Sequence, residues 1–416
     1  MKNLPLYLKI LIGMVVGIVL GIAAVNFGFT GVVMDWVKPL GDIFMRLLKF
    51  IAIPLVTVSL IKGVANIGTI QTLSSMGLKT VLLFVFTTVT AIVIGLALAH
   101  FISPGEMVSA ESVSSMQQTY GASISAKADL SQALAHGSPL QPIVDIFPEN
   151  AFAALANNGV MLQVIFISII FGISILLVGR ERCKPFMDFI ESLDAIIMKI
   201  VELVMAYSPI GVLALIAGMI VVSAGDVSLL SALGMYGLTV ILGLAIMILV
   251  VYPLLIKLFT KIPLSDFFKG MMPVQLLAFS TSSSAATLPV TMESAIKRLG
   301  VSEKTASFVL PVGVTINMEG TACYQAIAAL FIAQVLGIEL SWLQMLVIVG
   351  TTTLSSIGTP GVPGGSVVIL VMVLGSVGIP AEGLALIMGI DRPLDMLRTV
   401  VNVTGDTTVA ALIDKK

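Results

Sequence analysis

The run FSTSSSAATLP, Phe279 to Pro289, breaks a hydrophobic segment at 264–296 with serines. A second segment, at 341–376, is broken by SSIGTPGVPGGS, Ser355 to Ser366. Apolar arms of about 10–14 residues flank each polar centre, too short for a crossing that takes roughly 20. Serine runs and Gly-Pro-Gly stretches leave backbone N–H and C=O groups unpaired. At membrane depth that is tolerated only inside protein or against a polar cavity. Both stretches therefore read as re-entrant helical hairpins, the first entering from the cytoplasm and the second from outside. Each is followed by a helix with unusual polar residues, so hairpin plus helix occurs twice, over 264–335 and 341–413. That is the pattern of inverted repeats with a site at the midplane.

The rest of the chain supplies the membrane such hairpins require. Of 416 residues, 57% are hydrophobic and 11% charged, with mean hydropathy +1.09. Soluble domains carry about 25% charged residues. The composition excludes a soluble enzyme, a disordered chain and, with 22 basic against 23 acidic residues, a nucleic-acid binder. Two cysteines, Cys183 and Cys323, make no disulfide framework, and two histidines argue against a zinc enzyme.

Spans are predicted near 6–27, 39–70, 77–103, 149–178, 186–222, 228–259, 303–335 and 380–413, giving an all-α polytopic membrane protein. The first apolar run is too long for a secretory leader and reads as a first span. Lysine and arginine placement puts both termini in the cytoplasm: Lys62, Lys79, Arg180, Arg182, Lys184, Lys257, Lys261 and Lys269 fall on one side, Lys38 and Lys127 on the other. Trp36 and Trp342 then mark the outer boundary. Residues 104–140 read as an external loop of little intrinsic structure.

Two spans carry chemistry. In GIDRPLDMLRTVVNVTGDTTVAAL, Gly389 to Leu412, residues Asp395, Arg398, Thr399, Asn402 and Asp406 share one helical face. Ionisable groups inside a span are functional candidates by default. A self-neutralising Asp395–Arg398 pair is the structural alternative, but five aligned polar groups exceed what it explains. In VGVTINMEGTACYQA, Val312 to Ala326, Gly320 and its neighbours weaken the helix, and local unwinding would free carbonyl oxygens for a hard cation. Asn317, Asn402 and Asp406 offer oxygen ligands, favouring sodium or calcium over a transition metal. Arg398 can take a carboxylate bidentately and Asp395 an ammonium, with hydroxyls and hairpin-tip amides for a second carboxylate. The inventory fits an acidic amino acid. An intramembrane aspartyl dyad is disfavoured, because Asp395 and Asp406 are about 16 Å apart along one helix.

The motifs SSSAATLP, NMEGTACYQA, SIGTPGVPG and LDMLRTVVNVTGD resemble the dicarboxylate/amino acid:cation symporter family across essentially the whole chain. The resemblance implies a sodium-coupled symporter of aspartate or glutamate in the cell membrane, homotrimeric, with eight spans, two re-entrant hairpins and an elevator mechanism. A proton-coupled member is the alternative, distinguished by whether Glu319 titrates, and an anion leak is a further family property. No organic cofactor is implied. Residues 1–76 and 141–222 would form the scaffold, and 77–103 and 223–416 the transport domain, with 104–140 as the loop between.

By the same resemblance Arg398 and Thr321 bind the substrate side-chain carboxylate, Asp395 and Thr399 the amino group, and Asn402, Ser284 and the Val362 backbone the main-chain carboxylate. One sodium site would use Gly313, Asn317, Asn402 and Asp406. A second would use Thr315, Ser356, Ile357 and Thr359, and a third Thr87, Thr88, Asn317 and Glu319. The second hairpin would gate the site. Gln325 stands where animal members place a glutamate linked to proton and potassium countertransport, so neither is expected. Three departures are Glu319 for aspartate, Phe84 for a tyrosine, and Ser282 for an arginine. Arg392, one turn before Met396, is expected to supply the charge missing near Asp395.

Overall fold

The computed structural model describes residues 6–65, 76–109, 113–114, 144, 146–157, 160–179, 181–222, 228–356 and 365–414. All regular structure among them is helical. We name the main helices α1 (Leu6–Phe27), α2 (Lys38–Ala65), α3 (Leu78–Ile102), α4 (Met161–Val178), α5 (Lys184–Val222), α6 (Ser228–Ile246) and α7 (Tyr252–Phe259). They are followed by α8 (Leu264–Thr281), α9 (Ser284–Lys297), α10 (Glu303–Ile316), α11 (Glu319–Val335), α12 (Trp342–Ser356), α13 (Gly365–Ser376) and α14 (Asp391–Asp414).

The helices pack in two groups. In the first, α1 and α2 lie along α5, and α4 lies along α2. The α1–α5 contact is close because Gly13 and Gly17 face α5 one turn apart. A Cβ at either would come within 2.4 Å of Pro209 O or 2.6 Å of Leu213 O. Small residues at such a seam let helices associate in lipid, where hydrophobicity supplies no drive. In the second group, α3 and α6 pack on α11, while α8, α9, α10 and α11 surround α14. Contacts of α13 with α2 and α4 join the groups.

Among the described residues five helical segments are long and apolar enough to cross a membrane: Leu8–Phe27, Thr30–Ala65, Leu78–Met107, Lys184–Val222 and Ser228–Phe259. The three other predicted spans depart for separate physical reasons. The one at 149–178 is split, with a five-residue helix at Ala151–Leu155 ahead of α4. The one at 303–335 breaks between Ile316 and Glu319. The last helix starts at Asp391 rather than 380, after a 3-10 turn at Ala381–Gly383 and a helical turn at Leu384–Ile387, and it is polar along its length.

The segments at 264–296 and 341–376 are each a pair of helices packed together, α8 with α9 and α12 with α13. Between α8 and α9 the chain turns at Ser282, which takes a left-handed φ of 49° as C-cap, and Ser283 caps α9 by accepting from Ala286 N at 3.2 Å. The predicted tip of the second pair, including Ile357, Thr359 and Val362, lies outside the described residues. The predicted loop over 104–140 is corrected at its start. Pro104–Met107 form a 3-10 turn with Pro104 and Gly105 buried, and Gly105 N donates to Gln334 Oε1 on α11 at 3.0 Å. Most of the remainder lies outside the described residues, as do Lys2, Arg180, Lys415 and Lys416.

Candidate functional site

Helix α14 is the axis of the site. One face of it holds Asp391, Asp395, Arg398, Asn402 and Asp406, all buried. A buried charge must find partners, and Arg398 has three. Its Nη1 donates to Asp391 Oδ1 at 2.8 Å and its Nη2 to Asp395 Oδ1 at 2.9 Å. The Tyr324 ring of α11 lies under the guanidinium, 3.8 Å from Cζ to centroid, a cation–π contact in a dry setting. Arg392 Nη1 donates to the other Asp395 oxygen at 3.0 Å, which places its charge where the sequence reading expected one. Two acids and two bases thus cancel formally. Two donors remain over, since Nε of Arg398 and Nε of Arg392 are buried without acceptors.

Further along α14 the chemistry inverts. The break between α10 and α11 falls at Asn317 and Met318 rather than at Gly320. Gly320 is already helical, and its small size serves another purpose: a Cβ there would lie 2.5 Å from Arg398 O. This close approach lets Gly320 N donate to Asn402 Oδ1 at 2.8 Å, while Asn402 Nδ2 donates to Met318 Sδ at 3.2 Å and toward Thr321 Oγ1 at 3.5 Å. Asn317 Nδ2 donates to Asp406 Oδ1 at 2.9 Å. Gly313 abuts the same carboxylate, with room for no side chain: a Cβ would sit 2.4 Å from Asp406 Oδ1.

Glu319, fully buried, takes a hydrogen bond from the Tyr252 hydroxyl on its Oε2. Thr87 and Asn317 flank the same carboxylate. Its Oε1 and Asn317 Oδ1 are buried acceptors without donors. Neither Glu319 nor Asp406 has a basic partner among the described residues. One end of the site therefore has spare donors and the other spare acceptors and uncompensated acid.

The other predicted residues are placed unevenly. Thr321 and Thr399 are buried beside Asn402 and Asp395, Thr399 Oγ1 donating to Asp395 O at 2.8 Å. Ser284 is buried at the start of α9 and Ser356 at the end of α12, where its Oγ donates to Thr353 O at 2.8 Å. Thr87 and Thr88 are buried on α3. Thr315 lies in the last turn of α10, its side chain outside the described set. Gln325 Nε2 donates to Ser366 O at 3.2 Å, tying α11 to α13. An aspartyl dyad is not assembled, since Asp395 is engaged by the two arginines and Asp406 by Asn317. Asp391, Tyr324 and Tyr252 are site residues absent from the sequence reading. Asp391 was detectable, one turn before Asp395 on the same face. The two tyrosines carry no such local signal.

Comparison with known proteins supplies the lineage. The chain is 37% identical over 415 residues to a proton/sodium-glutamate symport protein of Geobacillus stearothermophilus, covering 100% of this chain and 95% of the relative. A proton/glutamate-aspartate symporter of Escherichia coli (strain K12) is 35% identical, with 100% and 94% covered. Excitatory amino acid transporter 3 of Oryctolagus cuniculus is 34% identical, with 100% and 86% covered. The profile of the sodium:dicarboxylate symporter family matches residues 6–416. With its apolar helices and a charged site built inside them, this multi-pass membrane protein belongs to the sodium:dicarboxylate symporter family.

Proposed function

We propose that the protein is a secondary active symporter of aspartate or glutamate, driven by sodium. One observation carries the reading: buried donors without acceptors at Arg392 and Arg398, opposite buried acceptors without donors at Asn317 and Glu319. Unsatisfied buried polar groups are costly, and these two sets call for an anion and a cation respectively. Charge gives the coupling. The Asp391–Arg398–Asp395–Arg392 group is formally neutral, whereas Glu319 and Asp406 are two buried acids with no basic partner among the described residues. An acidic amino acid adds a further net negative charge, which cations must accompany if the loaded site is to sit inside a membrane.

In this reading the substrate side-chain carboxylate takes Arg398, with Thr321 beside it, and the ammonium takes Asp395 with Thr399. Arg392 holds the second oxygen of Asp395 in place. Asn402, Ser284 and the Val362 backbone receive the main-chain carboxylate. Sodium occupies Gly313, Asn317, Asn402 and Asp406, then Thr315, Ser356, Ile357 and Thr359, and then Thr87, Thr88, Asn317 and Glu319. The group of α1, α2, α4 and α5 acts as scaffold in a homotrimer with cytoplasmic termini. The group around α14 carries the site across as an elevator, with α12 and α13 as the re-entrant gate. The two-group packing of the helices supports that division. Uptake into proteoliposomes under separately imposed sodium and proton gradients tests the assignment. Sodium-driven aspartate or glutamate uptake supports it, and uptake driven by protons alone replaces sodium with the proton-coupled alternative.

A further inference from the structure

We propose that Tyr252 is a positioning residue for the cation site, holding one oxygen of Glu319 so that the other is presented to the ion. The inference rests on the cation assignment above and adds to it a residue from a helix that the assignment does not use. Three observations carry it.

The first is how Tyr252 comes to face the site. Between α6 and α7 the helix passes through a π turn at Met247–Val251, which inserts a residue's worth of rotation. Such bulges re-aim the residues after them. Here the turn brings Tyr252 and Ile256 onto the buried side of α7, both fully buried. The second is the bonding. The Tyr252 hydroxyl has one proton to give and lies between Glu319 Oε2 and Val401 O, the latter at 3.2 Å. A carboxylate is the stronger acceptor of the two. Fixing Oε2 on the tyrosine directs the planar carboxylate and leaves Oε1 without a partner beside Asn317 and Thr87. The fit is close, because Gly405 admits no Cβ: one would lie 2.4 Å from Glu319 Oε2 and 2.8 Å from Tyr252 Oη.

The third observation is what stands across the site. Phe84 is buried one turn before Thr87 on α3 and brings no hydroxyl, whereas the resemblance puts a tyrosine there and an aspartate at 319. In this chain the carboxylate is therefore held by a phenol hydroxyl from α7, and Phe84 of α3 brings none.

The test measures sodium dependence of aspartate uptake in proteoliposomes for single and combined variants. Tyr252→Phe is expected to raise half-saturating sodium about tenfold or more, as loss of one hydrogen bond to a charged group allows, a larger change than in the maximal rate. Glu319→Asp is expected to weaken sodium similarly. Adding Tyr252→Phe to Glu319→Asp should change nothing more, because the shorter acid no longer reaches α7, and adding Phe84→Tyr to Glu319→Asp should restore sodium affinity. Independent, multiplying effects of Tyr252→Phe and Glu319→Asp overturn the proposal, as does an unaltered sodium curve for Tyr252→Phe. Should Tyr252→Phe not fold, the Glu319→Asp and Glu319→Asp/Phe84→Tyr pair decides: recovery supports a phenol hydroxyl as the group that holds the acid, and no recovery overturns it. Sodium-independent uptake by the unmodified protein is a different result, which removes the cation assignment itself.

Discussion

Arg398 and Asp391 form a buried ion pair along one face of α14, 2.8 Å from Nη1 to Oδ1, seven residues apart. Two turns of helix bring them together, and the pair occupies a nitrogen that the proposed function gives to a substrate carboxylate. Breaking a buried pair leaves an uncompensated charge at a cost of about 3–5 kcal/mol. Asp391→Asn should therefore lower the thermal stability of the substrate-free protein. Aspartate should restore it, since the ligand supplies the missing anion. The measurement is the ligand-induced Tm shift, expected to be larger than in the unmodified protein; an equal shift would show that Asp391 and substrate do not share Arg398.

Removing the base itself is more severe. Arg398→Ala strips Asp391 and Asp395 of their common partner and, on the proposed function, the substrate of its anchor. A loss of about 2–5 kcal/mol, or 30-fold or more in affinity, is expected for acidic substrates. Unchanged aspartate and glutamate affinities in equilibrium binding would sink the substrate assignment.

Arg392 is more accessible, with its side chain 19% exposed, and its bond to Asp395 is correspondingly screened. Arg392→Met should weaken substrate binding by about 1 kcal/mol, or roughly fivefold, by leaving the Asp395 carboxylate, proposed to receive the ammonium, without the partner that fixes its second oxygen. If affinity and turnover both stay the same, Arg392 is an interfacial residue and nothing more.

Gly313 offers a test of the proposed cation site at Asp406 that changes no charge. The added methyl of Gly313→Ala meets Asp406 Oδ1 at 2.4 Å, so the carboxylate must move. Half-saturating sodium should rise about tenfold, a little over 1 kcal/mol, while the preference among acidic substrates is kept. Sodium titration of uptake, with competition by unlabelled substrates, separates the two effects.

Lys49 of α2 and Glu382, ahead of α14, are paired at 2.8 Å across 333 residues, linking the two helix groups. Both side chains are about a third exposed (35% and 31%), so the pair is worth at most about 1 kcal/mol. Lys49→Glu should change the initial rate of uptake with little effect on substrate affinity. The double exchange Lys49→Glu with Glu382→Lys should return the rate toward normal. Failure of the exchange to recover the rate would mean that the contact plays no part in the proposed movement between the groups.

Sequence by itself determined the helical, membrane-embedded character of this chain, because hydrophobic run length is a local property. It also determined the polar face of α14, where a 3.6-residue period aligns Asp395, Arg398, Asn402 and Asp406, and that period extends back to Asp391. The weak point near Gly320 was legible within three residues, since the same small and polar residues unsettle a helix wherever it packs. Tertiary structure alone decided what those groups meet. Tyr252 reaches Glu319 across 67 residues only because a π turn rotates α7 inward. Tyr324 lies under Arg398 because Gly320 lets α11 and α14 touch. Helical periodicity states which side chains share a face; which face of another helix lies opposite depends on packing between distant segments, and there the spare donors and spare acceptors of this site were set.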